Sequence, residues 1–229
     1  MFNVCPNCGE DRADKTIVEG PYAICPNCRF RHKFLRLPLF ILTGASGVGK
    51  STVCLGLAAG MKDVVVMDSD ILWRPEFNQP ETNYREYRET WLRICKNISQ
   101  AGRPVVLCGV GVPNQFEPCI ERRYFSELHY LTLICEAEIL ASRLRNRPPT
   151  RGTYNDECIK GQVAFNGWLL NNAQNTEPPM TLLDTSEITV DETVAKVEHW
   201  VRSFLVDMHP EEEKISRAKT QRRKALPRI

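Results

Sequence analysis

The chain has 229 residues, 42% hydrophobic and 25% charged, with a formal net charge of +2. That length suits one domain of ordinary size with an appendage. The near balance of charge excludes a general attraction to nucleic acid or membrane, and no apolar run approaches the roughly 20 residues that cross a bilayer.

Residues 1–34 read as a separate module. Cys5-Pro-Asn-Cys8 recurs as Cys25-Pro-Asn-Cys28, giving C-x2-C-x16-C-x2-C. Two knuckles of this kind place four thiolates at the corners of a tetrahedron, which suits Zn²⁺ and leaves no open position for catalysis. So short a segment cannot bury a core of its own, so the metal would supply its folding energy. The pattern resembles the zinc ribbon family over this module alone. Arg29, Arg31, His32, Lys33 and Arg36, interleaved with Phe30 and Phe34, crowd its exit. They read as a basic seam docked on the next domain, with a nucleic-acid surface as the rival reading.

From Leu37 the pattern is strand then helix, repeated. Leu39–Thr43 is a short apolar strand, and Ser51–Ala59 a small-residue helix that Gly60 closes. Val64–Asp68 reads as a strand buried on both faces. Tyr84, Tyr87, Trp91, Ile94 and Ile98 recur at helical spacing and are expected in the core first. Val105–Cys108 and His129–Ile134 are further strands, and Glu136–Arg147 is a helix stopped by Pro148-Pro149. Asp156–Asn172 is a helix, Met180–Asp184 a fifth strand, and a last helix starts at Asp191 as N-cap. The fold class is α/β: a five-stranded parallel sheet with helices on both faces, spanning 37–208 after the small ribbon. Residues 210–229 form a charged tail with three glutamates and then seven basic residues.

Cys54, Cys95, Cys108, Cys119, Cys135 and Cys158 sit among apolar neighbours and read as buried, reduced thiols. With no basic stretch ahead of an apolar core at the N-terminus, no secretory signal is visible, and a cytoplasmic protein without disulfides is expected.

The stretch that organises the chain is Gly44-Ala45-Ser46-Gly47-Val48-Gly49-Lys50-Ser51, which fits G-x-x-x-x-G-K-[ST] between a strand and a helix. The glycines let successive N–H groups turn inward as an anion-binding nest, and the helix N-terminus adds partial positive charge. Gly44 to Thr52 would bind the phosphates of ATP, Lys50 reaching the β- and γ-phosphates and Ser51 holding Mg²⁺. Asp68-Ser69-Asp70 closes the second strand, 18 residues beyond Lys50. Ligands of parallel sheets sit at the carboxyl ends of the strands, so Asp68 is a candidate for Mg²⁺ and Asp70 for a general base.

On Gly44–Ser51, Asp68–Asp70 and Arg143-Leu-Arg145-Asn-Arg147-Pro-Pro-Thr-Arg151-Gly, the chain resembles the P-loop kinases of small molecules, the group of shikimate, gluconate, adenylate and nucleoside kinases. The resemblance implies a lid near 143–155, with Arg147 and Arg151 offsetting charge on the transferring phosphoryl. It also implies that Cys108–Asn114 shapes the acceptor pocket and that Asp184-Thr185-Ser186 borders the base. Asp70-Ile-Leu-Trp-Arg74 is one residue longer than the adenylate-kinase pattern, and paired aspartates suit a hydroxyl acceptor. Arg74, Arg85 and Arg88 lie where a charged acceptor would bind.

The expectation is an ATP-dependent kinase of a small hydroxyl-bearing, nucleoside-like metabolite, using ATP, Mg²⁺ and Zn²⁺. The alternatives are a nucleoside monophosphate kinase and a nucleic-acid-directed kinase or ATPase gripping its partner through the ribbon.

Overall fold

A computed structural model of the protein describes residues 3–12, 14–148, 150 and 154–205. Arg151 and the charged tail at 210–229 lie outside the described residues. The N-terminal module is a three-stranded antiparallel sheet of β1 (Thr16–Val18), β2 (Tyr22–Ile24) and β3 (Arg31–Lys33). Beyond it, β4 (Leu39–Gly44), β5 (Val65–Asp68), β6 (Val105–Cys108), β7 (Leu128–Ile134) and β8 (Thr181–Asp184) form a parallel sheet in the order β5-β6-β4-β7-β8. The helices are α1 (Lys50–Gly60), α2 (Arg85–Ser99), α3 (Pro113–Phe116), α4 (Ala137–Arg145), α5 (Asp156–Asn172) and α6 (Val190–Leu205).

Alternation along β4 divides the core in two. Phe40 and Leu42 pack with Val53 and Leu57 of α1 and Val197 and Val201 of α6. Leu39 and Ile41 pack with Tyr87, Trp91 and Cys95 of α2. Both faces of the sheet are therefore covered, as apolar strands without polar alternation require. The chain lays β5 and β6 on one side of β4 and then crosses to lay β7 and β8 on the other. That reversal opens a crevice at the carboxyl ends of the strands, where ligands of such sheets bind.

Three local expectations are corrected. The run at Val64–Asp68 looks doubly buried, yet Val65–Asp68 are only half-buried because β5 is the edge of the sheet. The last helix is capped by Thr189, not Asp191. The Thr189 side chain accepts from Glu192 N–H at 3.2 Å, while the Glu192 carboxylate accepts from Thr189 N–H at 2.8 Å. This is a capping box, which satisfies two donors at once. Cys158 is exposed in the first turn of α5, whereas Cys54, Cys95, Cys108, Cys119 and Cys135 are buried as expected.

The ribbon is seated on the parallel-sheet unit through named contacts. Phe34 meets Tyr124 edge-on with ring centroids 5.7 Å apart, and Ala23 completes that cluster. Gln100, just past α2, bonds both backbone groups of Leu35 at 2.9 and 3.0 Å. Arg36 donates to Phe125 O at 3.2 Å. So Phe34 and Arg36 belong to the docking seam, while Phe30, Arg29, Arg31 and Lys33 stay exposed. Beneath the seam Lys96 and Glu121 form an ion pair in which each side chain is 1% exposed, and Lys96 also lies 4.1 Å over the Tyr124 ring.

Removing one member of a buried pair strands the other charge in low dielectric. Glu121→Ala is therefore expected to cost about 3–5 kcal/mol of stability. Urea denaturation would show this as a lower midpoint at unchanged slope; a midpoint like that of the wild type would contradict the assigned burial.

Candidate functional site

The cluster of four cysteines follows from two matching turns. In the first, Gly9 N–H donates to Cys5 O and Cys5 N–H to Glu10 O; in the second, Arg29 N–H donates to Cys25 O and Cys25 N–H to Phe30 O. Gly9 and Arg29 occupy the same position and share the left-handed backbone, at φ 75° and 62°. The repeat brings the sulfurs of Cys5, Cys8, Cys25 and Cys28 within 4.8 Å of one another. Cys5 and Cys28 are 3.6 Å apart and Cys8 and Cys25 are 3.7 Å apart. A tetrahedral Zn²⁺ with Zn–S of about 2.3 Å needs sulfurs about 3.8 Å apart, so the donor set fits that ion. The repeated asparagines have a use as well. Asn7 donates to Cys28 Sγ and Asn27 to Cys8 Sγ, each reaching across to the other knuckle. The Asn7 bond, with help from the Phe30 backbone, draws the Cys28 thiol down to about 6.

The phosphate loop is built by exclusion. A Cβ on Gly44, at φ 142°, would sit 2.4 Å from Leu133 O, and one on Gly47, at φ 91°, would crowd Leu140 and Leu144. Gly49, also left-handed, caps α1. Ala45 and Val48 are buried beneath the loop. Lys50 Nζ donates to Gly44 O at 2.8 Å and to Ala45 O at 2.9 Å, folding the ammonium along the loop. Desolvation there pulls the lysine down to about 8, with Asp70 opposing the fall.

The structure brings Ser46, Gly47, Gly49, Lys50, Ser51 and Thr52 round one cavity of about 250 Å³. Asp70, Arg143 and Arg147 line the same cavity. Asp68 ends β5 and is not among the residues that line this cavity; one of its oxygens caps the next turn by accepting Asp70 N–H at 2.9 Å. Its position is fixed from α2, where Tyr87 O–H and Trp91 Nε1–H both donate to Ser69 O. Gly109 lets that turn close, since a Cβ there would lie 1.8 Å from Ser69 Oγ. Gly111 N–H donates to the buried Thr43 Oγ1 at 3.0 Å, tying the loop after β6 to the end of β4.

The arginines divide. Arg147 faces the cavity and donates to Tyr154 Oη at 2.9 Å. Arg143 faces it too, and holds Thr185 O at 2.9 Å. Arg145 points outward to Asp156 at 4.0 Å, both side chains exposed. A second cavity of about 260 Å³ shares Gly47, Gly49, Thr52 and Arg143 with the first and reaches Thr185 and Ile188.

Two polar residues at this end of the sheet matter through their partners: Arg88, expected where a charged acceptor would bind, and Gln162, which carries no sequence signal. Arg88 is 5% exposed, donates to Gln115 Oε1 at 3.0 Å and has the rings of Phe116 and Tyr87 at 4.9 and 5.2 Å. Its Nε has no hydrogen-bond partner among the described residues. Gln162 of α5 accepts Ser46 N–H from the phosphate loop at 2.8 Å. A glutamine within a helix reads as surface until its surroundings are known, and the burial of Arg88 is likewise a tertiary fact.

A strand–loop–helix junction whose cavity also takes Asp70 from the turn after β5, two strands away, defines a P-loop nucleotide-binding fold of the kinase type. Residues 41–160 match the AAA domain family, and the chain belongs to it. Among solved structures it is similar to a sugar kinase from Janibacter sp. HTCC2649, at 16% identity and a TM-score of 0.54, covering 73% of this chain and 95% of that one. It is also similar to a gluconokinase from Sinorhizobium meliloti 1021, at 19% identity and a TM-score of 0.53, covering 76% and 98%. Likeness at these identities establishes the fold. No curated protein matches the sequence. Among the described residues no helix is long and apolar enough to cross a membrane.

Two tests follow. Replacing Cys5 and Cys25 with Ser is expected to release the zinc and unfold the N-terminal module, seen by metal analysis and amide exchange; native protein folded without metal would refute the assignment. Phosphates favour the charged form of Lys50, so nucleotide binding near pH 8 should take up protons from solution. Calorimetry in buffers of different ionisation enthalpy would show this as a buffer-dependent heat that is absent in Lys50→Met. A heat independent of buffer would contradict the low Lys50 value.

Proposed function

We propose that the protein is an ATP-dependent phosphotransferase acting on a small hydroxyl-bearing, nucleoside-like metabolite. The observation that carries this reading is that Asp70 and Lys50 line one cavity with Ser51. Loop amides and Lys50 hold the phosphates of ATP, whose base lies in the adjoining cavity lined by Arg143, Thr185 and Ile188. Ser51 and Asp68 would hold Mg²⁺, which when bound offsets charge on the β- and γ-phosphates. Asp70 takes the proton of the acceptor hydroxyl as its oxygen bonds to the γ-phosphorus and the bond to the ADP oxygen breaks. Arg147, with Arg151 as an expected partner, offsets the charge on the transferring group.

Tyr87 and Trp91 are buried and spend their polar atoms on Ser69, so a planar acceptor has no access to them. Trp73, 45% exposed and edge-on to Tyr87, is a candidate ring for a nucleoside-like acceptor. The second reading is a charged acceptor such as a nucleoside monophosphate, and Arg88 favours it: a buried guanidinium whose Nε has no partner among the described residues.

Asp70→Asn is expected to lower turnover by about 10²–10⁴-fold, the usual worth of a general base, while leaving ATP affinity within a few-fold. Turnover is read with nucleosides, nucleoside monophosphates and sugar acids as acceptors. Unchanged turnover in the variant would refute the base, and no ATP-dependent product from any acceptor would refute the phosphotransferase reading.

A further inference from the structure

The phosphate loop is gripped from a distant part of the chain. Gln162, on the second turn of α5, stands 116 positions from Ser46 and accepts its N–H at 2.8 Å. A backbone N–H can only donate, so the carboxamide must present its oxygen to Ser46 and turn its –NH₂ away from that bond. Gln162 is half-buried, and that –NH₂ stands one carboxamide width from the crown of the loop. Ser46 itself lines the cavity with Asp70 and Arg147, on the side where the terminal phosphoryl would lie.

The contact belongs to a wider attachment. One turn further along α5, Asn166 is 4% exposed and bonds both backbone groups of Cys135, accepting its N–H at 3.3 Å and donating to its C=O at 2.8 Å. Cys135 is the first residue after β7, so α5 reaches the exits of both β4 and β7 with two amide side chains. The opposite side of the crown is held by apolar contact, because Gly47 lies against Leu140 and Leu144 of α4. The crown is thus held between the two helices that flank the Arg147–Arg151 segment.

From this geometry we propose that Gln162 is a positioning residue: its carbonyl fixes the crown of the phosphate loop and its –NH₂ donates to the terminal phosphoryl of ATP. Such a donor acts on ATP and has nothing to meet on ADP, whose two phosphates sit lower, on the amides of the helix N-terminus. A helix that merely braces the loop would affect both nucleotides alike. The inference rests on the nucleotide site proposed above, and its test is independent of the acceptor.

The experiment measures equilibrium binding of Mg·ATP and Mg·ADP to the full chain, wild type against Gln162→Glu and Gln162→Leu. Glu keeps the length and an oxygen for Ser46 N–H but replaces the amide donors with negative charge; Leu removes both groups. The ATP-to-ADP affinity ratio is expected to fall about tenfold in Gln162→Leu, the order of one charge-assisted hydrogen bond, and further in Gln162→Glu. A ratio that stays at the wild-type value, whether or not both affinities or the melting temperature drop together, would reduce Gln162 to a structural brace and overturn the proposal. A wild type that binds neither nucleotide would refute the phosphate site and this role with it. A wild type that binds ATP yet phosphorylates no acceptor would refute only the phosphotransferase reading, and the ratio would still decide the role of Gln162.

Discussion

The structure depends on the backbone of one turn. Between β4 and α1 the chain has to pass close to Leu133 O, where Gly44 leaves no room for a Cβ, and then take left-handed backbone at Gly47 and Gly49. Only glycine meets those demands at low cost. Such a turn at a helix N-terminus favours an anion before any side chain acts. The core beneath is what keeps the turn closed. Ala45 and Val48 are buried in it, and Thr185, 4% exposed, bonds Val48 O at 3.3 Å from the far side of the sheet.

The carboxylates come from a less protected place. β5 is an edge strand, so the turn that carries Asp68 and Asp70 has neighbours on one side only. Tyr87 and Trp91 make up for that by holding Ser69 O from α2. The ribbon bears on the other end of the same helix: Leu35 is bonded by Gln100, and the Lys96–Glu121 pair lies beneath the seam. α2 therefore joins the four-cysteine module to the acidic turn through one continuous packed element. This gives the ribbon a structural part in holding the turn of Asp68 and Asp70, whatever else its exposed Arg29, Phe30 and Arg31 contact.

Much of this was legible in the sequence because it rests on local rules. The phosphate loop, the repeated Cys-Pro-Asn-Cys and the span of α5 from Asp156 to Asn172 all state their geometry in residue type and spacing. The edge position of β5 was not legible, because an apolar run looks the same at the rim of a sheet as at its centre and strand order is a tertiary fact. Thr189 and Glu192 did carry a local signal, the S/T-x-x-E spacing, which the more familiar cap of an aspartate at 191 obscured. Gln162 gave none, and Arg88, though placed on the acceptor segment, gave no sign of its burial. Each sits in a helix whose pattern accommodates a polar residue, and its meaning comes from Gln115 and Phe116 in one case and from Ser46 in the other. Polar residues acquire roles through partners distant in the chain, and no periodicity encodes those.

The most direct measurement of the central claim is the backbone amide spectrum of the protein titrated with Mg·ATP. The account predicts that the largest shifts fall on the amides of 46–52, with smaller ones at Asp68 and Asp70 across the cavity. Shifts concentrated instead at the opposite end of the strands, in the groove lined by His129, Trp200 and Phe204, with 46–52 unmoved, would contradict it.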